Sequence, residues 1–459
     1  MLAAPVPRLR GVTRAPSIGF TFLPFSTGLS QQDAPMIRVR TADGAVMLAT
    51  ALLVSFVVLG ATTGCQQPKV AEDETASGPD YNRPLTPGAS ALREITDPGR
   101  LPPIEKAFEH RNVYLEDAID ESLRWFRAPS SQQFFPFDEF THDRMVAGLH
   151  AFRSLLEEAP DAASFRRQFE QMFKVYESVG YNGEGIVLFT GYYAPIFPAS
   201  RERTSRFTAP LYTRPDDLVT DPVTGDPQGR RMNGDVIVPY PARREIEERN
   251  MFAGNELVWL ENDLDAFIVQ VNGSAKLQLP DGEVMYIGYA GKTDRPYTGL
   301  GQSVMDEGIL SPDQLSLPAI RRLYQQQPDR VRELMFRNEV YVFFTEYSGA
   351  NWPAGSLGVP VTTEASLATD KRIYPRGGLV MVDTRAVTFS EGHRRYVRFM
   401  LDQDTGGAIQ APGRADIFKG IGPGAEILAG GQYAEGRLYY FLLREPYVES
   451  YLAMEESKR

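Results

Sequence analysis

Three carboxylates, Asp402, Asp404 and Asp416, fall within one short stretch near the C-terminus, "DQDTGGAIQAPGRADIF". Asp402 and Asp404 are two apart, so on a strand they share a face. Gly406 and Gly407 follow, where a backbone can turn sharply or approach a ligand closely. Asp416 returns on the next apolar segment, within reach of the first strand's end. Carboxylates that share a cleft drive one pKa upward and keep one proton near neutrality. A general acid acting on a glycosidic oxygen needs that property. The same spacing also describes a polar loop whose acids cap backbone amides, so spacing alone leaves both readings open.

Other chemistries find little material. The four histidines, His110, His142, His150 and His393, show no metal-ligand spacing, and the reading calls for no metal and no cofactor. "YAGKT" (289–293) resembles the end of a phosphate-binding loop. Tyr286 stands where its first glycine belongs, and Pro296 bars the helix that should follow. There is no G-x-S-x-G elbow. Formal charge is −11 with acids and bases interspersed, which provides no basic stripe for nucleic acid.

The single cysteine, Cys65, excludes an intramolecular disulfide. It ends the apolar run "AVMLATALLVSFVVLGATTGC", which follows Arg38 and Arg40 in the manner of an export signal. The run resembles the lipobox of bacterial lipoproteins, in which that cysteine is acylated; a single membrane-spanning anchor is the alternative. A start at Met36 would give an ordinary signal, so 1–35 reads as a misassigned extension and 1–65 as export signal. Gln66 after the cysteine points to the outer membrane over the inner one.

The elements that must position the acids follow in order. Residues 66–103 have the composition of a flexible tether. Residues 104–180 are helical in pattern: Leu115, Ile119, Leu123 and Phe126 form one apolar stripe, and "ASFRRQFEQMFKVYESVG" reads as a helix stopped by Gly180. From Ile186 short β-branched and aromatic runs dominate, among them "GIVLFTGYY", "AFIVQVNGSAKLQL" and "RRYVRFMLDQD", with one helical interruption at "SLPAIRRLYQQQPDRVRELMFRN". Such runs predict a mainly β fold with N-terminal helices, a barrel or sandwich and not a dinucleotide-binding sheet.

"DTGGAIQAPGRADIFKGIGPGAEILAG" resembles the C-terminal three-aspartate motif of the membrane-bound lytic murein transglycosylase A family. "TGYYAPIFPASR", "REIEERNMFAGNELVWL", "FIVQVNGSAKLQL", "IGYAGKTDRPYTGLG", "VYVFF" and "PAGSLGVPVTTEASLATDKRIYPRGGLVMVDT" match the same family in order, over roughly 185–445. The resemblance implies a double-psi β-barrel (181–220 and 345–450), a second β-domain inserted at 221–344, and a groove between them. It implies a peptidoglycan glycan strand as substrate, cut between N-acetylmuramic acid and N-acetylglucosamine. Asp416 would protonate the leaving oxygen. It would then take the muramyl O6 proton as a 1,6-anhydro ring closes, with Asp404 and Asp370 tuning it. Tyr192, Tyr193 and Tyr297 would stack on sugars, and Thr190, Gln270 and Ser274 would bond N-acetyl groups. Departures from the family pattern at Ala194, Asn272, Ala275, Thr293 and Asp294 fall in segments expected to face the groove. An inverting polysaccharide hydrolase and a non-catalytic peptidoglycan-binding protein remain the alternatives.

Overall fold

The computed structural model describes residues 78–456, apart from 223–224, 235, 312–313 and 390–391. The export segment, Cys65 and the first part of the expected tether lie outside the described residues. Among the described residues no helix is long and apolar enough to cross a membrane.

Six strands close into a barrel. In order they are Tyr433–Leu443, Leu379–Thr388, Gly392–Asp404, Ser366–Ala368, Arg414–Ile421 and Val187–Ala194, and the last returns to pair with the first. Parallel and antiparallel pairs alternate at the short strand Ser366–Ala368, which runs parallel to one neighbour and antiparallel to the other. Its three residues are all buried, as a strand enclosed on both faces requires. Outside the barrel, Phe173–Ser178 and then Leu92–Glu94 extend the sheet past Tyr433–Leu443.

The helices Ile104–Glu109, Leu115–Phe126, His142–Glu158 and Ala162–Met172 share one core with the barrel. The expected stripe Leu115, Ile119, Leu123 and Phe126 is buried. Asp161 caps the fourth helix by accepting the Ser164 amide. That helix stops at Met172, not at Gly180, because Phe173–Ser178 gains a strand partner in Tyr433–Leu443. The tether also ends earlier than composition suggested. Ala91 and Ile95 are buried in the barrel core, so the segment around them is packed structure.

A second, six-stranded sheet runs Val342–Tyr347, Val284–Lys292, Ser274–Gln278, Ile196–Ser200, Glu256–Leu260, Ala209–Tyr212. A bridge between Thr213 and Phe344 links its far edges. The chain thus crosses into this sheet directly after Ala194, ahead of the boundary expected at 220. "AFIVQVN" is helix, not strand: Asp263–Asn272 is capped by the Asn262 side chain at one end and by left-handed Gly273 at the other. Its unbroken apolar run is buried against the sheet, where periodicity cannot separate helix from strand.

Candidate active site

Strand register lines up the acids. Tyr433 lies opposite Thr190, Thr190 beside Asp416, Asp416 opposite Ala368, and Ala368 beside Asp404. Residues paired in register point to the same face, so one row across five strands carries two carboxyls, a hydroxyl and a phenol. The Thr190 hydroxyl donates to Asp416 Oδ1. Arg414, two residues before Asp416 on the same strand, stands with its Nε 3.6 Å from that oxygen and donates from its terminal nitrogen to Thr190 at 3.3 Å. Arg414 Nε is buried and makes no hydrogen bond.

Two glycines let the backbone close around this row. A Cβ on Gly191 would come within 2.9 Å of the Ala429 backbone, where the helix Gly422–Gly430 packs on the "TGYY" strand. A Cβ on Gly355 would meet the Gln403 carbonyl at 2.9 Å and the Asp404 carboxyl at 3.3 Å.

Asp404 accepts the Ser356 and Thr405 amides, each at 2.8 Å. Burial nevertheless pushes its carboxyl above the usual carboxylate range, outweighing those amides, Tyr192 and Lys371. The Tyr192 hydroxyl is buried without a hydrogen-bond partner. It lies beside Asp404, near enough to interact with that carboxylate. Asp402 is different. It is fully buried and accepts Thr369 at 2.8 Å, Tyr440 at 2.7 Å, and the ammonium of Lys371. Gln403, the extra residue at the bulge between them, turns into the helices and bonds the Ala118 carbonyl and Ser122.

Asp370 holds Arg372 through a two-toothed pair at 2.9 and 2.7 Å. Arg372 in turn donates to the Gln410 carbonyl at 3.1 Å, and Gln410 to the Gly407 carbonyl at 2.8 Å. Asp370 therefore fixes the double-glycine loop and makes no contact with Asp416.

The second sheet supplies the opposite wall. A Cβ on Gly407 would stand 3.8 Å from Lys292 Nζ and 3.9 Å from the Tyr297 ring. Tyr297 lies in the fields of Arg414 and Asp416, and burial raises its phenol pKa. Tyr193 and Gln270 are not at this wall. Alternation on its strand sends Tyr193 into the second core, where its hydroxyl donates to Glu426 at 2.9 Å. Gln270 is buried and accepts from Arg243 at 2.8 Å. Ser274 opens the strand Ser274–Gln278 opposite Gly288, half-buried, with no contact to the acids. The departures at Ala194, Ala275 and Thr293 are buried, not groove-facing.

Sequence reasoning missed Arg414, Lys292, Lys371 and Tyr433. The i, i+2 spacing of Arg414 to Asp416 could have revealed the first. No local signal marks Tyr433, which is 50% exposed at the end of the row because of strand pairing alone.

A family model described as the MltA specific insert domain matches residues 188–345, and one described as the 3D domain matches 365–442. The chain is 31% identical over 267 residues to membrane-bound lytic murein transglycosylase A of Vibrio cholerae, covering 57% of this chain and 66% of that protein. It is 30% identical over 271 residues to the Escherichia coli K12 protein of the same name, covering 58% and 68%. Among solved structures, the membrane-bound lytic murein transglycosylase from Agrobacterium tumefaciens matches at TM-score 0.62 and 28% identity, over 79% of this chain and 99% of that one. The chain thus spans about two thirds of the length of these curated relatives. With the barrel, the inserted sheet and the acid row between them, the chain belongs to the membrane-bound lytic murein transglycosylase A family.

Proposed function

We propose that this chain cleaves the bond between N-acetylmuramic acid and N-acetylglucosamine in peptidoglycan by lytic transglycosylation, with Asp416 as the proton carrier. The observation that carries this is the register row. Asp416 sits between a hydroxyl donor, Thr190, and the guanidinium of Arg414, on a face opposed by Tyr297 from the loop that follows the strand Val284–Lys292. Protonated Asp416 donates to the leaving oxygen, and the carboxylate left behind is met by Thr190 and Arg414. That carboxylate then accepts the proton of the muramyl O6 hydroxyl as O6 bonds to C1, closing the 1,6-anhydro ring. No water enters the bond change. Asp404, held towards its neutral form by burial, keeps a second negative charge out of the groove until positive charge develops on the sugar. Tyr192 and Tyr297 offer ring faces for sugars. Asp370 serves as a positioning residue.

The connection pattern of the barrel fits the double-psi type, with its parallel pairs at Ser366–Ala368 and at Val187–Ala194. Anchoring through an acylated Cys65 to the outer membrane belongs to the same reading and is carried by sequence alone.

Digestion of purified sacculi tests the chemistry. Wild type should release muropeptides ending in 1,6-anhydromuramic acid, and Asp416→Asn should release none above background. Free reducing ends would instead identify a hydrolase. Release by Asp416→Asn at the wild-type rate would remove Asp416 from the mechanism.

A further inference from the structure

Among the described residues, Arg372, Arg414 and Lys292 stand at the groove, and the first two are engaged. Arg372 is forked onto Asp370, and Arg414 leans on Asp416 and Thr190. The third, Lys292, has no carboxylate within salt-bridge distance among the described residues. Asp226 and Arg372 act on it from farther away, and burial favours its uncharged form. A half-buried ammonium with no carboxylate in contact is incompletely compensated, and in a binding groove it is a partner for an anion.

Lys292 is also held in place. It ends the strand Val284–Lys292, and the next residue, Thr293, is fully buried and bonded twice to Tyr341. The Thr293 amide donates to the Tyr341 carbonyl, and its hydroxyl accepts the Tyr341 amide, both at 3.0 Å. The ammonium meets Gly407 beside Tyr297, whose ring lies in the field of Asp416, so an anion bound there would hang from a sugar near the scissile bond.

The sugar rings and N-acetyl groups of a peptidoglycan strand are uncharged. Its carboxylates are carried on the lactyl ether of the muramyl residue, as the free acid or through the peptide attached to it. We propose that Lys292 binds a carboxylate hanging from the muramyl residue, and so selects muramyl-containing strands over neutral ones. This rests on the reading that a peptidoglycan strand occupies the groove. A charge-assisted bond of this kind is about twice as strong as a neutral one. The "YAGKT" segment, no phosphate loop, thereby gains a role.

Fluorescence anisotropy in the Asp416→Asn background separates binding from turnover. Three labelled ligands are compared: a stem-bearing glycan strand, the same strand stripped of stems so that the lactyl acid is free, and a chitin oligosaccharide with neither. Lys292→Met should raise Kd about tenfold for at least one of the two charged strands. It should leave the chitin oligosaccharide within twofold, which also certifies the fold, and Lys292→Arg should restore most of the loss. A loss confined to the stem-bearing strand assigns the stem carboxylate; a loss on the stripped strand assigns the lactyl acid. Equal losses on all three ligands, or none, overturn the proposal. If sacculus digestion shows no cleavage by wild type, the reaction fails while this binding comparison still decides the role of Lys292.

Discussion

Asp402 and Asp404 are separated by one residue and occupy opposite kinds of environment. Asp402 lies behind the sheet, where Lys371, Thr369 and Tyr440 satisfy its carboxylate and no water reaches it. Asp404 lies at the groove, where burial outweighs the two amides it accepts, and along the same row the buried Arg414 Nε beside Asp416 makes no hydrogen bond. Buried polar groups in a finished structure are nearly always bonded, and a cluster that is not marks a place where a ligand completes the count. Satisfaction therefore separates the acid that builds the barrel from the acids that serve the groove. The bulge at Gln403 makes the separation possible, by breaking the alternation that would have kept the two on one face.

The largest expected effect is on the groove side. Asp416→Asn should lower anhydromuropeptide release by about 10²–10⁴, the range for loss of a general acid, with melting temperature unchanged. On the structural side, Lys371→Met strands the Asp402 carboxylate and should cost about 3–5 kcal/mol in denaturant unfolding. Adding Asp402→Asn should recover most of that loss, since Asn keeps an acceptor for Tyr440 and Thr369. If the double variant is no more stable than Lys371→Met, the buried pair is not what holds this region. Thr190→Val comes next: it removes a hydroxyl donor to a charged group, worth about 1.5–3 kcal/mol. Activity should fall about tenfold or more, and Thr190→Ser, which keeps the hydroxyl, should restore most of it. A fall that Thr190→Ser does not restore would make Thr190 a packing residue.

The sequence made this division legible only in part. The acids, the "TGYY" strand and Tyr297 could be picked out because motif residues lie together in the chain, and the family pattern left Asp402 without a role. The row itself could not be read, since Thr190 and Tyr433 reach Asp416 through pairings between distant segments. The helix Asp263–Asn272 was hidden for another reason: Ala266, Phe267, Ile268 and Val269 are buried in succession, and such a run has no period to read. Tyr193 was misplaced because the motif "TGYY" does not say which of two adjacent tyrosines faces the groove, whereas strand alternation allows only one.

The smallest effect is also the most specific to the comparison. Burial raises the Asp404 pKa in the folded chain, so the native state holds this proton more tightly than the unfolded chain does. Stability then falls as pH rises from the ordinary carboxylate range through the raised value, and the full cost is reached above it. Asp404→Asn carries no titrating proton and keeps an acceptor for the Ser356 and Thr405 amides. Across a pH series of urea unfolding curves, the variant should gain on wild type as pH rises through that window and hold its advantage beyond it. An advantage that did not change with pH would mean that Asp404 is as well satisfied as Asp402, and the contrast between the two acids would fail.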